Sequence, residues 1–170
     1  KDPEDIKQAQ FETWREPDHG IWEVRGAARH FTHSKMMAWV AFDRAVRAHE
    51  EWGREGPVER WRAIRDEIHA EVIERSWSEE HQAFAQSYGS DELDASVLLM
   101  PSVGFLPASD PRFVSTVSAV ERELVSGGLV MRYRARADGA IDGITSDEAA
   151  FLPCSFWLAD ALALIGEFDR

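Results

Sequence analysis

The sequence predicts an all-α domain, and three stretches carry that prediction. Residues 32–52 place Met36, Met37, Val40, Ala41, Ala45, Ala48 and Trp52 at helical spacing. Residues 58–72 set Val58, Trp61, Ile64, Ile68 and Val72 in one clean stripe. Residues 153–165 are apolar nearly all round and stop at Gly166. The helices alternate between broad and narrow apolar faces. Long loops join them, and the extended pieces within those loops are short.

Taken in order, residues 4–14 show a weak helical pattern at Ile6, Ala9 or Gln10, and Trp14, with Pro3 suited to a first turn. Pro17 ends it by biasing Glu16 away from the α region. In the 32–52 helix, Thr32, His33 or Ser34 is placed to cap the start and Gly53 to close the end. Trp39, Phe42 and Val46 fall outside its main stripe, so it is expected to be buried on more than one side. Gly56-Pro57 opens the next helix with proline in the first turn. Arg62, Asp66, Glu67, Glu71 and Arg75 lie off its stripe, which predicts a solvent-facing side.

Residues 77–88 are ambiguous between a helix start, with Ser76 and Glu79 as a capping box, and a turn plus an extended segment. A short helix is expected over 91–100, apolar at Leu93, Val97, Leu98 and Met100 and ended by Pro101. Asp110-Pro111 caps and opens a helix to Val125, with Val114, Val117, Val120 and Leu124 on one face and Gly127-Gly128 as the stop. Residues 129–134 suit a short strand, and 135–147 a polar loop with Gly139 and Gly143. No fixed short period recurs, which argues against a helical solenoid.

At 170 residues and 44% hydrophobic content the chain can bury a core, and no apolar run is long enough to span a membrane. The net charge of −12 argues against a nucleic-acid backbone and against an anionic membrane surface. A neutral ligand is indifferent to it. Cys154 is the lone cysteine, so no internal disulfide exists and the cytoplasm is the expected compartment. Its apolar context suits a buried, inert thiol.

Chemistry concentrates between Asp18 and Lys35, where aromatic, acidic, basic and imidazole side chains are densest. Gly20 and Gly26 bracket Ile21–Arg25, which suggests an extended segment between turns. Within it Glu23 follows Trp22. A carboxyl group held against an indole loses solvent, which raises its pKa towards the range of a general acid. The competing reading is a surface hairpin in which Glu23 pairs with Arg25 or Arg29.

The run Asp18-His19-Gly20-Ile21-Trp22-Glu23-Val24-Arg25-Gly26, followed by Arg29-His30-Phe31-Thr32-His33-Ser34-Lys35, resembles the central segment of glycoside hydrolase family 15. The blocks Gln86-Ser87-Tyr88-Gly89-Ser90-Asp91-Glu92-Leu93-Asp94-Ala95-Ser96 and Phe151-Leu152-Pro153-Cys154-Ser155-Phe156-Trp157-Leu158-Ala159-Asp160 are similar to it too, in the family's order. This is the family of glucoamylases, glucodextranases and glucoamylase-type bacterial trehalases. The resemblance implies an (α/α)6 barrel, a double ring of helices of which this chain would form about half. It implies a catalytic domain about twice as long, so residues 1–170 are expected to be one incomplete domain, cut on both sides.

It further implies inverting, exo-acting hydrolysis of an α-glucosidic bond by two carboxyl groups roughly 6.5–9.5 Å apart. Glu23 falls on the family's general acid, with Trp22 and Arg25 beside it as substrate-binding candidates. Arg132 aligns with an arginine that grips sugar hydroxyls, the alternative being an ion pair with Asp147 or Glu148. Phe151 falls near an aromatic that packs beside the sugar. Fungal glucoamylases carry a second carboxylate directly after the acid; Val24 stands there, so starch-type binding does not carry over. The family's general base, a glutamate nearer the domain's C-terminus, has no counterpart here. Asp94 falls near the site floor, as a hydrogen-bond partner rather than a substitute base.

His30 and His33, three apart, together with His19, raise the possibility of zinc, but no cysteine or carboxylate completes a known spacing. No metal and no cofactor are expected. No phosphate-cradling loop or nucleophile elbow is present. The expected partner is an α-glucoside or oligosaccharide. Self-association or a companion fragment is expected through the cut faces, around Phe156, Trp157, Leu158 and Leu162. The rival to an enzyme fragment is a non-catalytic helical binding module of the same descent.

Overall fold

The computed structural model describes residues 11–134 and 150–169. The expected loop at 135–147 and most of the weak helix at 4–14 lie outside these; what is described of the latter ends in a 3₁₀ turn, Thr13–Arg15. Four helices follow: α1 (Thr32–Trp52), α2 (Val58–Arg75), α3 (Pro111–Leu124) and α4 (Leu152–Ile165). Two small antiparallel hairpins sit between them, β1–β2 (Trp77–Ser78 with Ala83–Phe84) and β3–β4 (Val125–Ser126 with Leu129–Val130).

Helices α1 and α2 pack along each other, α3 covers β2, and α4 lies on β4 and on a 3₁₀ helix, Ala95–Leu99. One continuous core joins them through Met36, Trp39, Ile68, Val72, Phe84, Phe113 and Leu158. The stripe of α2 is as the periodicity predicts: Ile64, Ile68 and Val72 are buried. Its other side carries exposed ion pairs, Arg62–Glu50 and Arg15–Glu67, each 2.6 Å.

Several elements depart from the sequence reading. Helix α1 has no side-chain cap, because the Thr32 hydroxyl donates instead to the Ala85 carbonyl (2.6 Å), tying the helix start to the next site segment. Its burial is one-sided, with Met37 and Trp52 exposed and Lys35 and Asp43 buried among the apolar positions. Lys35 Nζ donates to the carbonyls of Trp14 and Glu16. The helix expected over 91–100 is reduced to the 3₁₀ helix Ala95–Leu99, because Asp94 is extended (φ −143°, ψ 131°) and caps the helix start by accepting from the Ser96 amide. In α3 the buried face runs through Phe113 and Val117, and Val114 is exposed. Gly127-Gly128 do not cap α3; both have positive φ (58° and 82°) and form the two-residue turn of the β3–β4 hairpin.

Helix α4 is apolar on all sides but buried on one. Cys154, Leu158, Ala161 and Leu162 face the core, whereas Leu152, Phe156 (63% exposed) and Leu164 face solvent. Of the four residues expected on an open face, only Phe156 is there: Leu158 and Leu162 are core, and Trp157 packs into the site.

Candidate active site

The site is built from loops stitched together by backbone bonds. Asp18 and Arg29 exchange both of theirs (2.9 and 2.8 Å), closing the loop that contains Glu23. The Thr32 amide donates to the Gln86 carbonyl (2.9 Å), and the Tyr88 amide to that of His30 (3.0 Å). Further along, the Ala95 amide donates to the Arg132 carbonyl (2.8 Å) and Asp94 bridges Tyr133. These contacts bring the Asp18–Lys35, Gln86–Ser96 and Arg132 segments to one place.

Residues 19–24 form a tight turn rather than an extended segment: the Val24 amide donates to His19 (3.0 Å) and the Glu23 amide to Gly20 (3.2 Å). Gly20 is required twice over, by a φ of +68° and by Phe31, whose ring would lie 2.9 Å from an added Cβ. The Asp18 carboxylate holds the turn's start by accepting from the Gly20 amide (2.6 Å) and the Ser34 hydroxyl (3.0 Å). Glu23 itself has a φ of +49°, a conformation that costs a side-chain-bearing residue about 1–3 kcal/mol and persists only when its neighbours enforce it. Here Val24 is buried on one side and Trp22 is pinned on the other.

Trp22 is the centre of the cluster. Phe151 meets its ring edge-on (5.8 Å, 87°), Trp157 packs at 6.1 Å, and Tyr133 at 6.5 Å. The Arg132 guanidinium lies over the indole at 5.1 Å. Aromatic pairs of this geometry are worth about 0.5–1.5 kcal/mol each beyond burial. The indole N–H donates to Asp94 Oδ2 (2.8 Å), and Asp94 also accepts from Gln86 Nε2 (2.9 Å) and the Ser96 amide (2.8 Å). Asp94 is 2% exposed, and its two oxygens accept from three donors.

The structure thus gathers Trp22, Arg132 and Phe151. Glu23 follows Trp22 in the turn and is exposed, so the burial against the indole expected from sequence is absent. No ion pair joins it to Arg25 or Arg29 among the described residues. Arg25 is exposed and is not among the side chains packed on Trp22. The ion-pair alternatives for Arg132, Asp147 and Glu148, lie outside the described residues. Gln86, Tyr133 and Trp157 were not singled out as site residues from sequence. The first lies in a family-like block and Tyr133 follows Arg132, which were the available signals; nothing in the apolar 153–165 pattern marked which way Trp157 would face.

The histidines have separate tasks. The His19 ring meets the Val24 carbonyl (3.0 Å), and His30 stacks on Tyr88 (5.7 Å, 12°). His33 is half-buried, and desolvation lowers its pKa against the opposing pull of Asp94 and Asp18. Burial, then Asp94, pushes the Cys154 thiol up to about 12, an unreactive group. Among the described residues no set of three or more His, Cys, Asp or Glu is arranged to hold a metal ion.

A family model described as "Glycosyl hydrolases family 15" matches residues 10–167. A trehalase of Mycobacterium tuberculosis is 48% identical over 157 residues, which is 92% of this chain and 23% of the relative. A trehalase of Thermoplasma volcanium is 40% identical over 158 residues, again 92% of this chain and 25% of the relative. The chain therefore spans about a quarter of the length of these relatives. Among solved structures, a wild-type glycosidase superposes with a TM-score of 0.76 at 18% identity, over 92% of this chain and 40% of its own. A glycosidase in complex with glucose matches equally well. On the family match and these relatives together, the chain belongs to glycosyl hydrolase family 15.

Proposed function

We propose that this chain is the acid-donating segment of an inverting, exo-acting α-glucosidase, with trehalose as its substrate. The observation that carries this reading is the packing of Arg132 and Phe151 on Trp22, directly beside the turn that presents Glu23. The relatives that share nearly all of this chain are trehalases. Val24 is buried where starch-cleaving members carry a second carboxylate, which favours a small substrate over a long glucan.

In this reading residues 1–170 form one incomplete (α/α)6 domain, and the outer face of α4 is covered by further helices of a longer polypeptide. Phe151 and Trp22 supply apolar surface for one face of the glucosyl ring, and Arg132 offers donors to its hydroxyls. Arg25, which is exposed, contacts the departing sugar. The protonated Glu23 carboxyl gives its proton to the glucosidic oxygen as the bond to C1 breaks. A water attacks C1 from the opposite face, and a carboxylate outside these residues takes its proton. The products from trehalose are one β-glucose and one α-glucose.

The test is Glu23→Gln in the full-length polypeptide. It keeps size and hydrogen bonding but removes the proton to be given, so turnover on trehalose should fall by about 10²–10⁴-fold. Near-normal turnover would end the assignment.

A further inference from the structure

Resting on the reading of Glu23 as the acid, we infer that Asp94 is a positioning residue. It holds the Trp22 indole, and with it the turn that aims Glu23, in register with Arg132. Three observations meet at this residue. Its Oδ2 accepts from the Trp22 indole N–H (2.8 Å), and the residue after Trp22 is the acid. Its Oδ1 accepts from the Ser96 amide (2.8 Å), which fixes the carboxylate to its own backbone. That backbone bridges Tyr133, and the next amide donates to the Arg132 carbonyl. One buried side chain therefore spans the two parts of the site that must act on one sugar.

The chemistry requires a carboxylate. An ionised Asp is an acceptor at both oxygens, and all of its three partners are donors. An asparagine offers one carbonyl oxygen and an NH₂ group, so one donor would face another donor. The indole would then be free to shift, and the positive φ at Glu23 would lose the neighbour that enforces it. A misplaced acid affects bond cleavage only when the leaving group needs a proton. Trehalose needs one. α-Glucosyl fluoride, whose fluoride departs with little protonation, does not.

The experiment compares Asp94→Asn, Trp22→Phe, the double variant and Glu23→Gln in the full-length polypeptide on both substrates. Asp94→Asn should lower kcat on trehalose by about 10²-fold, while kcat on the fluoride and KM for trehalose stay within about threefold. Trp22→Phe keeps a ring and loses the N–H; its smaller platform weakens both reactions alike, and beyond that shared loss its kcat on trehalose should fall further than its kcat on the fluoride by the same ratio as in Asp94→Asn. In the double variant that ratio should be no larger than in Asp94→Asn alone, because both changes remove the same hydrogen bond. Equal losses on the two substrates, a change confined to KM, or a multiplied ratio in the double variant would overturn the inference. If Asp94→Asn does not fold, Trp22→Phe decides by the same criterion. A Glu23→Gln variant without the split would instead remove the underlying acid assignment. The split in Glu23→Gln but in neither of the others would overturn only the role of Asp94.

Discussion

The two sides of α4 share a composition and meet different fates. The inner side closes the core with Cys154, Leu158, Ala161 and Leu162, and Trp157 reaches the Trp22 cluster. The outer side exposes Leu152, Phe156 and Leu164, with Phe151 at the helix start also reachable by solvent. The difference teaches that apolarity in this helix answers two demands. One is met within the chain, and the other is left open among the described residues.

That contrast can be broken from either side. Leu162→Ala removes buried methyl groups and should cost about 2–5 kcal/mol of stability, read from urea unfolding. The triple change Leu152→Ser, Phe156→Ser, Leu164→Ser should cost far less. Its signature lies elsewhere: the 170-residue chain should self-associate through the outer face, and the triple variant should sediment as a monomer. A parent chain that stays monomeric at high concentration would show that the face needs no cover.

A smaller effect sharpens the view of the site loops. Desolvation holds His30 and His33 below the ordinary histidine value of 6.5, so the folded state prefers neutral rings while the unfolded chain takes up protons at that value. Their contribution is whole above pH 6.5 and is lost as pH falls through the lowered folded values. Unfolding midpoints should therefore drop from pH 7.5 towards about 5.5, before carboxylates titrate, and His33→Gln should flatten part of the drop. A midpoint constant over that window would contradict the assignment.

The helices were legible because their signals are local. The stripe Ile64, Ile68, Val72, the pair Asp110-Pro111 and the glycines after α1 and α4 each act within a turn or two. The stretch over 77–88 was ambiguous locally, and the turn plus extended segment that became the β1–β2 hairpin was favoured only by the family resemblance. The site was legible in its members but not in its geometry. Trp22, Arg132 and Phe151 are named by family-like motifs, yet their meeting depends on bonds across long separations, such as Trp22 to Asp94 and Ala95 to Arg132. The turn at Glu23 escaped because a positive φ on glutamate has no sequence signal; it is imposed by Val24 and Trp22 from either side. The exposed face of α4 escaped because a helix apolar all round gives no periodicity by which to choose a side.

On the proposed function, these residues hold the acid and its platform but not the base. The most direct test is to assay the purified 170-residue chain on trehalose, maltose and a nitrophenyl α-glucoside, following the anomer first released. Inversion needs a base to take a proton from water as the acid gives one up, and loss of that partner alone removes about 10²-fold or more. The expected result is no turnover above that of a Glu23→Gln control. Clear release of β-glucose that vanishes in Glu23→Gln would contradict the claim, because it would place a complete site within these 170 residues.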